Sequence, residues 1–333
     1  MIRIGICGVG SMGRRHAACY RLLPGVRVTA LAGGRRGVPE EMAREHRAEV
    51  YDSAADLIER ADVDAVDICL PTDLHCETSL QAAKRGLHCL CEKPLALTLR
   101  ECDRIIRAVE NAGVVYMVAH VLRFWPEYRR LRETVEKGTH GPLRALTMHR
   151  VTGGTRKPGS WRADVARCGG AALDLHIHDV DFIRRLLGEP RRVDADGVRV
   201  NGAWDYIAGS FHYPGVAVNA IGAWNLPRKL PFDQGFRAVF DRAVMEYSSR
   251  HQPLTLYSEC GRERRLKLRH HERAEAAMPH KRLSMTAFHA QAKYFVDCVR
   301  HQRPPAFATA ADARESVAVV LREIRSAERK RRG

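Results

Sequence analysis

Asp174 and His178 stand four residues apart in the run Gly169-Gly170-Ala171-Ala172-Leu173-Asp174-Leu175-His176-Ile177-His178-Asp179-Val180-Asp181. A helix advances about 100° per residue, so with Asp174 at zero His178 falls at about 40°, Asp181 near 340° and Arg185 near 20°. One polar face is therefore expected to carry all four, with Leu173, Ile177, Val180 and Leu187 on the other side. Histidine titrates near neutral pH and a nearby carboxylate favours its protonated form, so the pair suits proton transfer. His176 falls near 200° on the same wheel, away from Asp174, and reads as a packed histidine. A metal on Asp174, His178 and Asp181 would need further ligands from elsewhere, so none is expected.

Two other groups lie in the first third. Glu92-Lys93-Pro94 follows His88-Cys89-Leu90-Cys91, which reads as a buried strand. The Lys93 ammonium is then expected at the carboxyl edge of a sheet, where open α/β sheets bind ligands. Gly8-Val9-Gly10-Ser11-Met12-Gly13 matches G-x-G-x-x-G between a predicted strand and a predicted helix, the context that a dinucleotide fingerprint requires. Gly8 would permit the tight turn, Gly10 the approach of a pyrophosphate and Gly13 close helix–strand packing, with the helix N-terminus at Ser11 and Met12 facing the anion.

The cofactor's identity is read at the end of the next strand. An NAD site usually has an acid there for the ribose 2′-hydroxyl; here Leu31-Ala32 runs into Gly33-Gly34-Arg35-Arg36. Gly33 would leave room for a 2′-phosphate, and Arg35 or Arg36 could pair with it, so NADP is expected, with NAD the alternative. At Pro71-Thr72-Asp73-Leu74-His75 another strand ends, with Asp73 a plausible helix N-cap. Pro71, Thr72, His75 and Glu92 join the expected cofactor contacts.

The elements that must position these groups alternate at first. Strands are predicted at residues 3–7, 26–32, 49–51, 63–70, 88–91 and 114–119, and helices at 11–22, 40–46, 75–85 and 98–111. Such alternation builds a parallel sheet covered on both faces. Beyond about His120 the pattern changes. Helices are predicted at residues 126–137 and within 169–187, strands at 143–151, 192–200, 204–213, 216–225 and 238–247, and closing helices at 286–300 and 310–329. The expected division is a dinucleotide-binding domain over 1–120 and a substrate and oligomerisation domain over 121–333.

Bulk properties exclude some classes. The 333 residues suit about two domains. No run of about 18 apolar residues exists, so no membrane partner is expected. The first residues pass directly into the glycine turn, and a cytoplasmic protein is expected. The ten cysteines are scattered and read as reduced core residues, without zinc spacing. The net charge of +16 is spread along the chain without a nucleic-acid-binding motif, so no nucleic-acid partner is expected. The charge would draw in anionic ligands.

Gly8–Gly13, Pro71-Thr72-x-x-His75, Glu92-Lys93-Pro94, Arg123-Phe124-Trp125-Pro126 and Gly169-Gly170…Asp174-x-x-x-His178 come in an order and spacing that resemble the family of glucose–fructose oxidoreductase, inositol dehydrogenase and MocA. The resemblance implies an α/β fold: an N-terminal Rossmann domain with a doubly wound parallel sheet, then a C-terminal α/β domain with an open, mostly antiparallel sheet. It implies catalytic Lys93, Asp174 and His178, a cis bond before Pro94, and a homodimer or homotetramer built through the C-terminal sheet. Arg123, Trp161 and Arg162 would join Asp174 and His178 in binding substrate. The implied reaction is hydride transfer between NAD(P) and a secondary alcohol or ketone of a sugar, cyclitol or sugar derivative, nucleotide-linked sugars included. Two alternatives stand beside it: redox-neutral glycoside cleavage with tightly held cofactor, and a non-catalytic cofactor-sensing regulator. The missing acid after the second strand departs from the common pattern, as does His176, where relatives often have glycine.

Overall fold

Short apolar strands alternate with helices in the first third, and the chain folds as that rhythm dictates. The computed structural model describes residues 1–33, 37–154, 158–200, 202–277 and 284–332. In chain order the elements begin with β1 (Ile2–Cys7), α1 (Ser11–Tyr20), β2 (Val26–Ala32), α2 (Glu40–His46), β3 (Glu49–Tyr51), α3 (Ala54–Arg60), β4 (Ala65–Ile68), α4 (His75–Lys84), β5 (His88–Cys91), α5 (Leu99–Ala112) and β6 (Tyr116–Val118). Then come α6 (Pro126–Lys137), β7 (Leu143–Gly153), α7 (Val165–Cys168), α8 (Ile177–Leu187), β8 (Arg192–Val200), β9 (Ala203–Tyr213), β10 (Val216–Leu226), β11 (Asp233–Phe240), β12 (Ala243–Ser248), β13 (Gln252–Ser258) and β14 (Glu263–Arg265). Helices α9 (Glu272–Ala277), α10 (Met285–Arg300) and α11 (Ala310–Arg332) close the chain.

Two compact units result. The first holds Met1–Phe124 with His270–Glu315; the second holds Trp125–Arg269 with Ser316–Gly333. The division expected at 120/121 assigned everything beyond it to one domain. In the structure α10 instead packs on α1. Its buried Phe288, Ala292, Phe295 and Val296 give it an apolar stripe that needs such a partner. No feature of the sequence distinguishes this return to the first unit.

In the first unit six parallel strands run in the order β3-β2-β1-β4-β5-β6. This is the doubly wound order, reversing direction beside β1. All of β4 is buried, as is β5 from Cys89 to Cys91, so these strands are covered on both faces and apolar but for Asp67 of β4. Helix α5 starts on a reciprocal capping box between Thr98 and Glu101 and ends at Gly113 in the left-handed conformation.

In the second unit eight strands run β14-β13-β12-β11-β7-β10-β9-β8, antiparallel except for the β7–β10 pair. The single strand predicted over 238–247 is two, turning at Asp241-Arg242, a tight turn without glycine or proline to announce it. Strands β13 and β14 and the short α3, which starts on a Ser53 cap, also escaped the sequence reading.

Candidate active site

One row of paired residues crosses the first sheet: Ala32, Cys7, Ile68, Cys91 and Val118, on β2, β1, β4, β5 and β6. Immediately beyond it the chain leaves each strand. Gly8 follows Cys7, Cys69-Leu70-Pro71 follows Ile68, and Glu92-Lys93 follows Cys91. Neighbouring strands lie about 4.8 Å apart, so Lys93 leaves the sheet about 10 Å from the glycine turn, at the same edge.

The turn has the geometry a dinucleotide needs. Gly8 has φ +102°, and a Cβ there would lie 2.6 Å from the Cys69 carbonyl oxygen. A Cβ on Gly13 would meet the Gly8 oxygen at 2.0 Å, so helix and strand touch through hydrogen. Gly10 differs: beyond its own chain neighbours, no heavy atom of the described residues lies within 4 Å of where a Cβ would stand. Gly10 is the N-cap of α1, with no side-chain cap and no acid in the first turn, which includes Ser11 and Met12. An open approach to an uncapped helix N-terminus fits a pyrophosphate. Gly33 behaves otherwise. A Cβ there would strike the Gly37 backbone at 2.3 Å, so this glycine allows the close approach of Gly37. Arg35 and Arg36 lie outside the described residues.

Around Lys93 the supporting groups are buried. The Lys93–Pro94 bond is cis. Lys93 itself is half-buried, and its backbone N–H donates to Glu92 Oε2 at 3.2 Å. Thr72 is buried, while Pro71 is half-buried at the start of the same loop. His75, expected to touch the cofactor, is buried with its Nδ1 2.8 Å from the Pro94 oxygen and its Nε2 3.0 Å from the Leu70 oxygen. Burial lowers its pKa, and its ring ties two loops together. Arg123, expected to bind substrate, lies in the turn before α6. It is buried and ion-paired with Asp312, while Phe124 beside it packs on Tyr294 and Phe307.

A network missed by the sequence reading lies beneath. His16 Nδ1 and the Tyr20 hydroxyl reach Asp67 Oδ2 at 2.9 and 2.8 Å, and the Cys69 thiol donates to Asp67 Oδ1 at 3.2 Å. His16 Nε2 faces Glu92 Oε1 at 3.5 Å. Burial opposes the charge on His16, but Asp67 and Glu92 together outweigh it and raise its pKa. The close grouping of His16, Asp67 and Cys69 has ligand-type atoms, but these are engaged with one another and with Tyr20.

In the second unit the Asp174 segment is not a plain α-helix. Ala172–His176 forms a π-turn that leads into α8, and the Ile177 N–H reaches back to the Ala172 oxygen. Gly169 and Gly170, with φ +72° and +76°, swing the chain into it. The extra residue changes the phase predicted for a uniform helix. Asp174 is buried and accepts a hydrogen bond from Arg162 Nε at 2.7 Å, and His178 is half-buried. Asp181, expected on the same face, is instead fully buried and accepts from the Ser316 hydroxyl, whereas Arg185 is exposed. The Arg162 guanidinium lies 4.6 Å over the Trp161 ring, and Trp161 packs against Cys168, Ala171 and Trp224. The structure thus joins three of the expected substrate residues, Trp161, Arg162 and Asp174, into one stacked and ion-paired group.

The comparisons follow this architecture. Residues 2–120 match an oxidoreductase family with an NAD-binding Rossmann fold, and residues 128–246 match the Gfo/Idh/MocA C-terminal domain. The chain belongs to the Gfo/Idh/MocA family. It is 36% identical over 199 residues to the myo-inositol 2-dehydrogenase of Thermotoga maritima, covering 59% of this chain and 58% of that one. It is 31% identical over 192 residues to the 2,7-anhydro-N-acetylneuraminate hydratase of Escherichia coli, covering 57% of this chain and 50% of that one. The chain therefore spans about half the length of these curated relatives, 58% of the first and 50% of the second. Among solved structures of Gfo/Idh/MocA type, a UDP-N-acetylglucosamine 3-dehydrogenase from Acidithiobacillus ferrooxidans superposes with a TM-score of 0.79 at 25% identity, over 98% of each chain. Among the described residues, no helix is long and apolar enough to cross a membrane.

Proposed function

We propose that this chain is an NAD(P)-dependent oxidoreductase acting on a secondary alcohol or ketone of a sugar, cyclitol or sugar derivative, nucleotide-linked sugars included. The observation that carries the reading is the row Cys7–Ile68–Cys91, from which the open glycine turn and Lys93 leave the same edge of one sheet. Names borne by relatives, an inositol dehydrogenase and a nucleotide-sugar dehydrogenase, support the substrate class. The nicotinamide, when bound, supplies the hydride acceptor or donor. Gly8, Gly10, Gly13 and the start of α1 would hold its pyrophosphate, with Pro71 and Thr72 beside it. His178 takes the proton of the reacting hydroxyl as general base. Lys93 donates a hydrogen bond to the same oxygen and stabilises the negative charge that develops there. Asp174, held by Arg162, orients a substrate hydroxyl or His178, and Trp161 offers an apolar surface for a sugar ring.

The cofactor reading is NADP, since Ala32-Gly33 supplies no acid for the ribose 2′-hydroxyl, with NAD the alternative. The assembly reading is a homodimer or homotetramer through the second sheet, checked by light scattering on the purified protein. A panel of polyols, aldoses, uronates and nucleotide sugars, assayed with NAD and NADP at the nicotinamide absorbance band, tests the function. The expected result is net cofactor reduction with at least one member. The hydratase name of one relative favours a second reading, redox-neutral cleavage. It would be supported by nucleotide that survives purification, with substrate consumed and no reduced cofactor released.

A further inference from the structure

His176 and Glu323 form a fully buried pair behind the π-turn. Their Nε2 and Oε1 atoms are 3.0 Å apart, and both side chains are 0% exposed. Among the described residues, neither His176 Nδ1 nor Glu323 Oε2 has a hydrogen-bond partner. Such a pair is costly to desolvate, and apolar replacements of similar volume are often neutral or stabilising. Stability alone is therefore a poor reason for its presence.

The surrounding strands are shaped around it. A Cβ on Gly222 of β10 would stand 2.4 Å from His176 Cβ, and one on Gly209 of β9 would stand 2.0 Å from Glu323 Oε1. The two glycines lie on adjacent paired strands, Gly209 opposite Ala220 and Gly222 opposite Ile207. Glycine inside a strand costs about 0.5–1 kcal/mol relative to alanine. Two strands thus give up side-chain packing or rigidity around this one pair. Its imidazole belongs to the last residue of the π-turn, midway in sequence between Asp174 and His178.

We infer that the His176–Glu323 pair is a positioning device, pinning the π-turn from behind so that Asp174 and His178 are presented to the substrate. The inference rests on the reading of Asp174 and His178 as substrate-facing groups. The π-turn spaces these two residues differently from an α-helix, and a turn with an extra residue needs an anchor to hold one register. His176 supplies it through a contact with α11 rather than through the turn's own backbone.

The test uses Glu323→Leu and Gly222→Ala in the full chain, with the His178 ring followed by NMR on protein carrying 15N-labelled histidine. Glu323→Leu removes the acceptor, and Gly222→Ala pushes the turn through His176 Cβ. Each is expected to move the His178 ring resonances and to lower kcat about 10–10²-fold with KM for the cofactor unchanged. Glu323→Gln, which keeps an acceptor, is expected to retain most of both signals. Unmoved His178 resonances and wild-type kcat in a folded Glu323→Leu protein would overturn the proposal. Should that variant not fold, an unmoved His178 in Gly222→Ala does the same. If the resonances move but the wild-type protein oxidises nothing in the panel, the positioning role stands and the reaction assignment falls.

Discussion

A single methyl group separates the two uses of glycine in the nucleotide turn. Gly10 has ordinary dihedral angles and open space beside it, so Gly10→Ala should fold with an unchanged Tm. Its methyl group would stand where the pyrophosphate approaches, weakening cofactor binding about 10-fold, roughly 1.4 kcal/mol by titration calorimetry. Gly13→Ala should do the opposite first. Its Cβ would sit 2.0 Å from the Gly8 oxygen, so backbone must move, costing about 1–3 kcal/mol in urea unfolding. Equal effects of the two changes on Tm would refute this division of roles. Residue type made Lys93 and the glycines legible because their chemistry and their strand-end context agree. The buried contacts of Arg123 with Asp312 and of His75 with the Pro94 and Leu70 carbonyls were not legible, because residue type does not announce burial.

Elements set the phase of the chemistry. The spacing of Asp174 and His178 was visible, but the π-turn between them was not. An inserted residue leaves no mark in composition, and its anchor, Glu323, lies 147 positions beyond His176. A second element-level feature has a pH signature. His289 of α10 lies with its ring 4.0 Å from that of His271, just before α9. Burial first, then the charges of His271 and Lys293, push its pKa down from the ordinary 6.5 to about 4. The folded state resists a proton that the unfolded chain accepts, so this contribution is present above about pH 6.5 and is lost as the pH falls towards 4. One proton changes stability by at most about 1.4 kcal/mol per pH unit. His289→Gln should therefore lose less stability than wild type between pH 7 and pH 5, as read from urea midpoints. Identical losses would show that His289 does not resist protonation in the folded state.

At the scale of the whole molecule the alternation of the first third and the strand-rich second half pointed to a parallel sheet and a mostly antiparallel one, but not to every strand of the second. The return of residues 270–315 to the first unit was not legible, because chain position says nothing about which surface an amphipathic helix will cover. A ligand that binds only the folded state stabilises it by RT ln(1 + [L]/Kd), about 2.7 kcal/mol at a hundred-fold excess over Kd. At equal concentrations NADP should thus raise Tm more than NAD; the reverse order would favour NAD. The central claim, that Lys93 and His178 act on one reacting oxygen, is tested most directly by turnover of Lys93→Ala and His178→Ala at saturating cofactor on a substrate found in the panel. Each should fall about 10²–10⁴-fold with cofactor affinity retained. Near-normal turnover in either variant would contradict the account.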